Sequence, residues 1–238
     1  MGIRSKRANG NAHPQSSQRG ENMTKLMRGD CLERMQELID GYYTVDMILS
    51  DLPYENPSAK GWAGERNSFD RLWSYYKTLL KSNGVVILLG TGIYAHHMIA
   101  SNLSWYKYTL IYDKQRSGDW LNSKIRPMRS HEDVMVFYKN KPTYNPRYNG
   151  EKDYPLSVMH FPRENDRNHP AQHPVALYEH LVRLYTNEGD TVLDSCMGSG
   201  TTGIACVNAN RNFIGIELDK THYNTAKTRI KQAKGVMS

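Results

Sequence analysis

The 238-residue sequence predicts an α/β domain built on a mainly parallel sheet, and three observations lead there. From Met23 onward, short apolar strand-like runs alternate with runs of helical spacing. Two of the strand-like runs end in carboxylates, Asp51 and Asp194, and the second opens into a glycine-rich turn. The chain is also long enough for one domain with a proper core, and 39% hydrophobic residues with only 10 prolines exclude disorder over most of its length.

Residues 1–22 lack hydrophobic periodicity and are rich in Asn, Ser, Gln and Arg, which predicts a flexible tail ahead of a folded domain over 23–238. Thr44 to Ser50 is an apolar run that stops at Asp51. Helical spacing then carries Phe69, Leu72, Trp73, Tyr76 and Leu80. Gly84 opens a strand over Val85 to Leu89, and a helix follows over Tyr94 to Leu103. Strands are expected at Tyr108 to Tyr112 and Val134 to Tyr138, with a polar loop between them. A helix over Val175 to Tyr185, a buried strand over Thr191 to Asp194 and a helix over Thr201 to Ala209 come next. Phe213 to Glu217 is a strand, and Tyr223 to Ala233 is the closing helix. No internal repeat is visible.

Several classes are set aside by what is missing. No apolar run reaches transmembrane length and no signal-peptide core precedes a cleavage-like site, so no membrane partner is expected. Cys31, Cys196 and Cys206 are odd in number and widely spaced. They fit neither a metal site nor a disulfide framework, and a reducing cytoplasm is the simple expectation. The net charge of +7 is uneven: residues 1–22 carry +3, residues 107–152 carry +5, and the rest sums to −1. A concentrated basic block suits a polyanionic partner, although a solvated surface explains it as simply.

Thr191-Val-Leu-Asp-Ser-Cys-Met-Gly-Ser-Gly-Thr-Thr202 is the strongest local feature. Gly198 and Gly200 allow tight backbone angles and close ligand approach after a buried strand. Glu217 ends the next strand 23 residues after Asp194, near the spacing at which a carboxylate grips a ribose in nucleotide-binding α/β units. A phosphate-binding loop would need Gly-Lys-Ser/Thr, and this loop has no lysine. Thr201 and Thr202 spoil a dinucleotide fingerprint. The loop alone is balanced between a cofactor site and an ordinary turn, and Glu217 moves the balance toward a nucleoside cofactor.

Ser50-Asp-Leu-Pro-Tyr54 stands at the carboxyl end of a strand, where open α/β sheets bind ligands. An exocyclic aromatic amine is a poor nucleophile because its lone pair is delocalised into the ring. Hydrogen-bond acceptance by Asp51 and the Leu52 carbonyl would make that nitrogen pyramidal. Pro53 fixes the turn, and Tyr54 offers a face for stacking on a withdrawn base. Taken alone, the tetrapeptide is better explained as an ordinary Asp-Pro turn.

With its neighbours it resembles the amino-methylating DNA methyltransferases, in the group whose catalytic motif precedes the cofactor motif. Asp51-Leu-Pro-Tyr54 resembles the family's Asp-Pro-Pro-Tyr, and the Asp194 to Thr202 stretch resembles its Asp-x-Phe-x-Gly-Ser-Gly-Thr-Thr. His169-Pro-Ala-Gln-His-Pro174 is similar to its His-Pro-Thr-Gln-Lys-Pro, and Gly29-Asp-Cys-Leu32 to its short early motif. Gly215-Ile-Glu-Leu-Asp219 followed by Tyr223 also fits, so the likeness spans roughly Met27 to Ile230. Leu52 stands in place of the first proline, where the backbone carbonyl is the working group. His173 stands in place of a lysine, so a cation there depends on pH.

The resemblance implies a single Rossmann-like methyltransferase domain: a twisted, mostly parallel sheet, helices on both faces and one antiparallel strand. It implies S-adenosyl-L-methionine as cofactor and double-stranded DNA as substrate, with neither a metal nor a covalent intermediate. Catalysis would fall to Asp51, Leu52, Pro53 and Tyr54. Asp194, Gly198, Ser199, Gly200, Thr201 and Thr202 would line the methionine part, Glu217 and Asp219 the ribose side, Asp30 and Cys31 the adenine, while His169 and Gln172 close the pocket. A basic recognition insert at about 113–168 would grip DNA through Lys124, Arg126, Arg129 and Arg147, with Tyr144, Asn145, Tyr148 and Asn149 near base edges. Pairing of Arg129 or His131 with Glu132 is an equally simple account of part of that block. The short insert also raises the expectation of a homodimer sharing the duplex. Adenine N6 is the expected target in a restriction-modification setting, since cytosine-N4 members usually carry Ser at the position of Asp51. N4-cytosine methylation and a catalytically silent DNA-binding regulator are the alternatives.

Overall fold

The computed structural model describes residues 22–53, 68–115, 120–147, 150, 154–162 and 173–236. The expected tail lies outside this set, as do Tyr54, Tyr148, Asn149, His169 and Gln172.

The elements run β1 (Thr24–Arg28), α1 (Cys31–Asp40), β2 (Val45–Asp51), α2 (Ser68–Leu79), β3 (Leu80–Gly90), α3 (Gly92–Ser101), β4 (Tyr106–Asp113), β5 (His131–Phe137), β6 (Val158–His160), α4 (Val175–Tyr185), β7 (Thr191–Asp194), α5 (Thr201–Asn208), β8 (Asn212–Glu217) and α6 (Lys220–Val236). The strands form one eight-stranded sheet in the order β1-β8-β7-β2-β3-β5-β4-β6. Only β5 runs against its neighbours; every other pairing is parallel. This is the expected α/β fold.

Period-2 alternation decides which side chains face which layer of helices. Leu49, Val85, Ile87, Leu89, Val134 and Val192 point to the side packed with Leu177 and Leu181 of α4, Cys206 of α5 and Ile230 of α6. Ile48, Val86, Leu88, Met135, Leu193 and Ile214 point to the other side, against Met35 of α1, Trp73 and Tyr76 of α2 and Met98 of α3. Both faces are covered, so the central strands are almost continuously apolar.

Four elements go beyond the sequence expectation. Helix α1 has an Asp30 N-cap and apolar residues at Leu32, Met35 and Leu38, all buried. Strands β1 and β6 are short and half-buried, and their pairing with β8 and β4 supplies what their own patterns lack. Strand β3 begins at Leu80 because a register shift between Val45 and Met47 lets it pair with β2 directly after α2.

The strand order reverses between β7 and β2, with β3 continuing one way and β8 the other. Such a reversal opens a crevice at the carboxyl ends of the strands. A buried hydroxyl cluster holds its two walls together: Ser50 Oγ lies 3.2 Å from Ser195 Oγ and accepts from Ser195 N at 2.9 Å, while Tyr76 Oη of α2 lies 2.6 Å from Ser195 Oγ. Replacing Tyr76 with Phe should destabilise the fold by about 1–2 kcal/mol, since it strips a buried hydroxyl of a partner. Urea unfolding would read this, and an unchanged midpoint would show that the cluster contributes nothing to joining the two strands.

Candidate active site

Asp51 and Asp194 end the adjacent strands β2 and β7, so the two motifs that lie far apart in sequence meet at the crevice. A cavity of about 510 Å³ opens there. It is lined by Gly29, Asp30, Cys31, Asp51, Pro53, Ser195, Cys196, Glu217, Leu218, Asp219, Lys220 and His222. The volume and the mixture of apolar walls with convergent carboxylates are those of a small-molecule site.

The glycine-rich turn beside the cavity is set by backbone geometry. Gly198 (φ +50°) and Gly200 (φ +84°) take left-handed conformations, and a Cβ on Gly200 would come within 2.8 Å of Ala226 Cβ on α6. Asp194 is buried and spent on this turn: it accepts from Cys196 N at 3.0 Å and from the Thr202 hydroxyl. Burial pushes its carboxyl up to about 7. Ser199 is held through its carbonyl and hydroxyl by Arg229. Asp194, Gly198, Ser199, Gly200, Thr201 and Thr202 thus build the turn and are not among the residues that line the cavity.

Glu217 stands at the end of β8 and lines the cavity. Its Oε2 accepts from Gly198 N at 2.9 Å and its Oε1 from Asp219 N at 2.8 Å, which ties the turn to the start of α6. A carboxylate keeps further lone pairs for a ligand's hydroxyls. Asp30 caps α1 by accepting from Leu32 N and Glu33 N at 2.9 and 3.2 Å. Its neighbour Cys31 meets Cys196 across the pocket, and the contact with Cys31 together with burial raises the Cys196 thiol, which remains protonated.

Asp51 keeps about a third of its side chain open, on the pocket side. Its Oδ1 is nonetheless buried and has no hydrogen-bond partner among the described residues. Its Oδ2 lies 3.6 Å from His173 Nδ1. Burial is the main cause that lifts the Asp51 carboxyl to about 6, opposed by the charge of His173. The Leu52 side chain is buried, and the Pro53 carbonyl accepts from Tyr94 Oη at 3.0 Å, which fixes the turn after the strand.

The basic residues divide between the two edges of the sheet. The segment joining β4 to β5 leaves the sheet at the catalytic edge and exposes Lys124 and Arg126 there. Arg129 is half-buried and donates to Thr91 Oγ1 at 2.7 Å, while Glu132 takes Lys114 and His173 instead. The segment after β5 starts at the opposite edge. Asn145 there bonds the carbonyls of Arg183 and Thr186 at the end of α4, and Arg147 stacks on Tyr154. Gly29 and Leu218 belong to quoted motifs without a role of their own, and Lys220 and His222 lie just beyond one. Cys196 belongs to the glycine-rich motif, whereas Glu132 and Lys114 reach the site through sheet packing alone, with no local pattern to mark them.

A family model described as DNA methylase matches residues 45–228. The Type II methyltransferase M.HpaI of Haemophilus parainfluenzae is 27% identical over 235 residues, covering 87% of this chain and 74% of its own length. M.HinfI of Haemophilus influenzae is 26% identical over 252 residues, covering 89% and 69%. The crystal structure of the M1.HpyAVI–SAM complex superposes with a TM-score of 0.72 at 26% identity, over 87% of this chain and 99% of that one. The PvuII DNA methyltransferase, described as cytosine-N4-specific, gives a TM-score of 0.72 at 17% identity over 91% and 95%, a likeness of fold.

Proposed function

The chain belongs to the DNA methylase family of S-adenosylmethionine-dependent N6 and N4 amino-methyltransferases, and from that premise we propose that it methylates N6 of adenine in duplex DNA. One observation carries the reading: Asp51 lines a cavity placed at the switch point of the sheet, and its buried Oδ1 has no hydrogen-bond partner among the described residues. An unmet buried acceptor is costly unless a ligand completes it.

The residues fit the cofactor. Glu217 and Asp30 would hold its ribose and adenine ends, with Cys31, Cys196 and Leu218 as apolar walls over the Gly198 turn. Bound there, S-adenosylmethionine supplies an electrophilic sulfonium methyl. The Asp51 carboxylate and the Leu52 carbonyl would accept the hydrogens of the target amine, which turns its lone pair out of the ring plane. Asp51 then offsets the positive charge that grows on nitrogen, in a site from which the closed cleft excludes water. Positioning carries the remaining work. The base would be withdrawn from the duplex to reach this depth, with Tyr54 as its stacking partner. Aspartate at position 51, where cytosine-N4 enzymes usually carry serine, favours adenine. Lys124 and Arg126, exposed on the catalytic edge, are suited to phosphate contact. A second copy of the chain sharing the duplex would extend so short a basic surface.

Calorimetry on Glu217→Ala should show strongly weakened S-adenosylmethionine binding; unchanged affinity in a folded variant would take Glu217 out of the site. Asp51→Ala should bind cofactor nearly as before but lose about 100- to 1,000-fold in turnover. Tritiated methyl transfer to DNA followed by nucleoside analysis reads both rate and product, with N6-methyladenine expected. Recovery of N4-methylcytosine would overturn the adenine assignment and leave the family intact. Charge reversal at Lys124 and Arg126 together should weaken duplex binding and flatten its salt dependence, because fewer counterions are released. An unaltered salt slope would move the DNA surface elsewhere.

A further inference from the structure

Behind Asp51 lies a chain of alternating charges drawn from four separate parts of the fold. His173, just before α4, sets Nδ1 3.6 Å from Asp51 Oδ2 at the end of β2 and Nε2 against Glu132 Oε2 on β5. Glu132 in turn takes Lys114, just after β4, at 2.7 Å. The side chains of His173, Glu132 and Lys114 are only 13%, 13% and 14% exposed. The rings of Tyr112 on β4 and Tyr178 on α4 close around the imidazole, with centroids 6.3 and 5.6 Å away.

Both ring nitrogens of His173 face a carboxylate. A neutral imidazole has one N–H and would turn a lone pair toward one of the two anions, whereas an imidazolium presents an N–H to each. The charge count agrees. With His173 protonated, two cations meet two anions; with it neutral, the cluster is left with an unbalanced buried negative charge. We propose that His173 is the positioning residue of Asp51: as an imidazolium anchored by Glu132 and Lys114, it holds the carboxylate ionised and oriented at the cavity for the target amine. This rests on the reading of Asp51 as the group that receives the amine, and it gives Glu132 and Lys114 a reason to be buried beneath the site.

The titration directions follow the same arrangement. Burial would lower His173, but its hydrogen bond to Glu132 and the charge of Asp51 outweigh that and raise it. Burial would raise Glu132, but the hydrogen bond and charge of His173, with those of Lys114, hold it at about 2. Asp51 is raised by burial to about 6 with the imidazolium opposing the rise. Loss of the cation therefore sends Asp51 higher, so that it is protonated, and turnover lost, at a higher pH. At alkaline pH the wild type should decline as His173 gives up its proton.

The test follows His173 directly by NMR of the full-length protein with labelled histidine, and turnover across pH in His173→Gln, His173→Lys and Glu132→Gln. In the wild type the His173 resonance, assigned by its absence in His173→Gln, should titrate above the ordinary histidine value of about 6.5. Glu132→Gln should bring it back down. His173→Gln should lower kcat by about 10- to 100-fold, with S-adenosylmethionine affinity unchanged and the acid limb of kcat moved to higher pH. His173→Lys should restore most of the rate, keep the acid limb in place and push the alkaline limb upward. A His173 resonance titrating at or below about 6.5 in the folded protein would overturn the proposal. An unmoved acid limb in His173→Gln, or a lysine variant no better than glutamine, would do the same. The NMR arm needs no turnover, so it decides the matter even if the expected methyl transfer fails, and an N4-methylcytosine product would leave it standing.

Discussion

Strands β2 and β7 lie side by side although their hydroxyl-bearing ends, Ser50 and Ser195, are separated by 145 positions. The site exists only because of that adjacency. The carboxylates that end the two strands act differently. Asp194 folds inward to staple the glycine turn, and Asp51 points to the crevice with one oxygen unmet. The Ser50, Ser195 and Tyr76 hydroxyls meet one another's hydrogen-bonding needs in a region closed to water. A packed, fully satisfied contact of this kind holds strand ends in one arrangement, and positioning of methyl donor and amine needs that rigidity.

Close packing on the cofactor side follows from glycine as much as from hydrogen bonds. Helix α5 can begin directly after the turn because Gly200 tolerates a positive φ, and α6 can press against it because Gly203 leaves room for Ile230. A Cβ on Gly203 would fall 2.4 Å from Ile230 Cδ1. The turn thus acts on the cavity through its backbone N–H at Gly198, which helps to orient Glu217.

On the catalytic side the constraint is electrostatic. A carboxylate drawn out of water resists ionisation, yet it must be ionised to receive an amine that becomes positive. The fold surrounds Asp51 with His173, Glu132 and Lys114, charges that balance in a region too dry for solvent to balance them. Where the family's motif has lysine, the imidazolium proposed for His173 keeps the same sign of charge and adds a dependence on pH.

The alternation of apolar strands and amphipathic helices, Asp51 at a strand end, the Gly198 to Thr202 turn and Glu217 were all legible in the residues. Each is local, because backbone propensity, period and turn chemistry act over a few neighbours. Strand β6 has three residues and a weak pattern, so only its partner β4 reveals it. The division of labour among the motif residues was not local either. Nothing in the sequence says that Asp194 and Ser199 brace the turn, that Asn145 caps α4, or that Arg129 bonds to Thr91 while Lys124 and Arg126 stay exposed. Sequence alone determined the fold class and the two strand-end motifs. Tertiary structure alone decided which of those side chains reach the cavity, and it joined His173, Glu132 and Lys114 beneath Asp51. Hydrogen-bond partners and buried charge balance depend on strand order in the sheet, which links residues that no spacing rule along the chain connects.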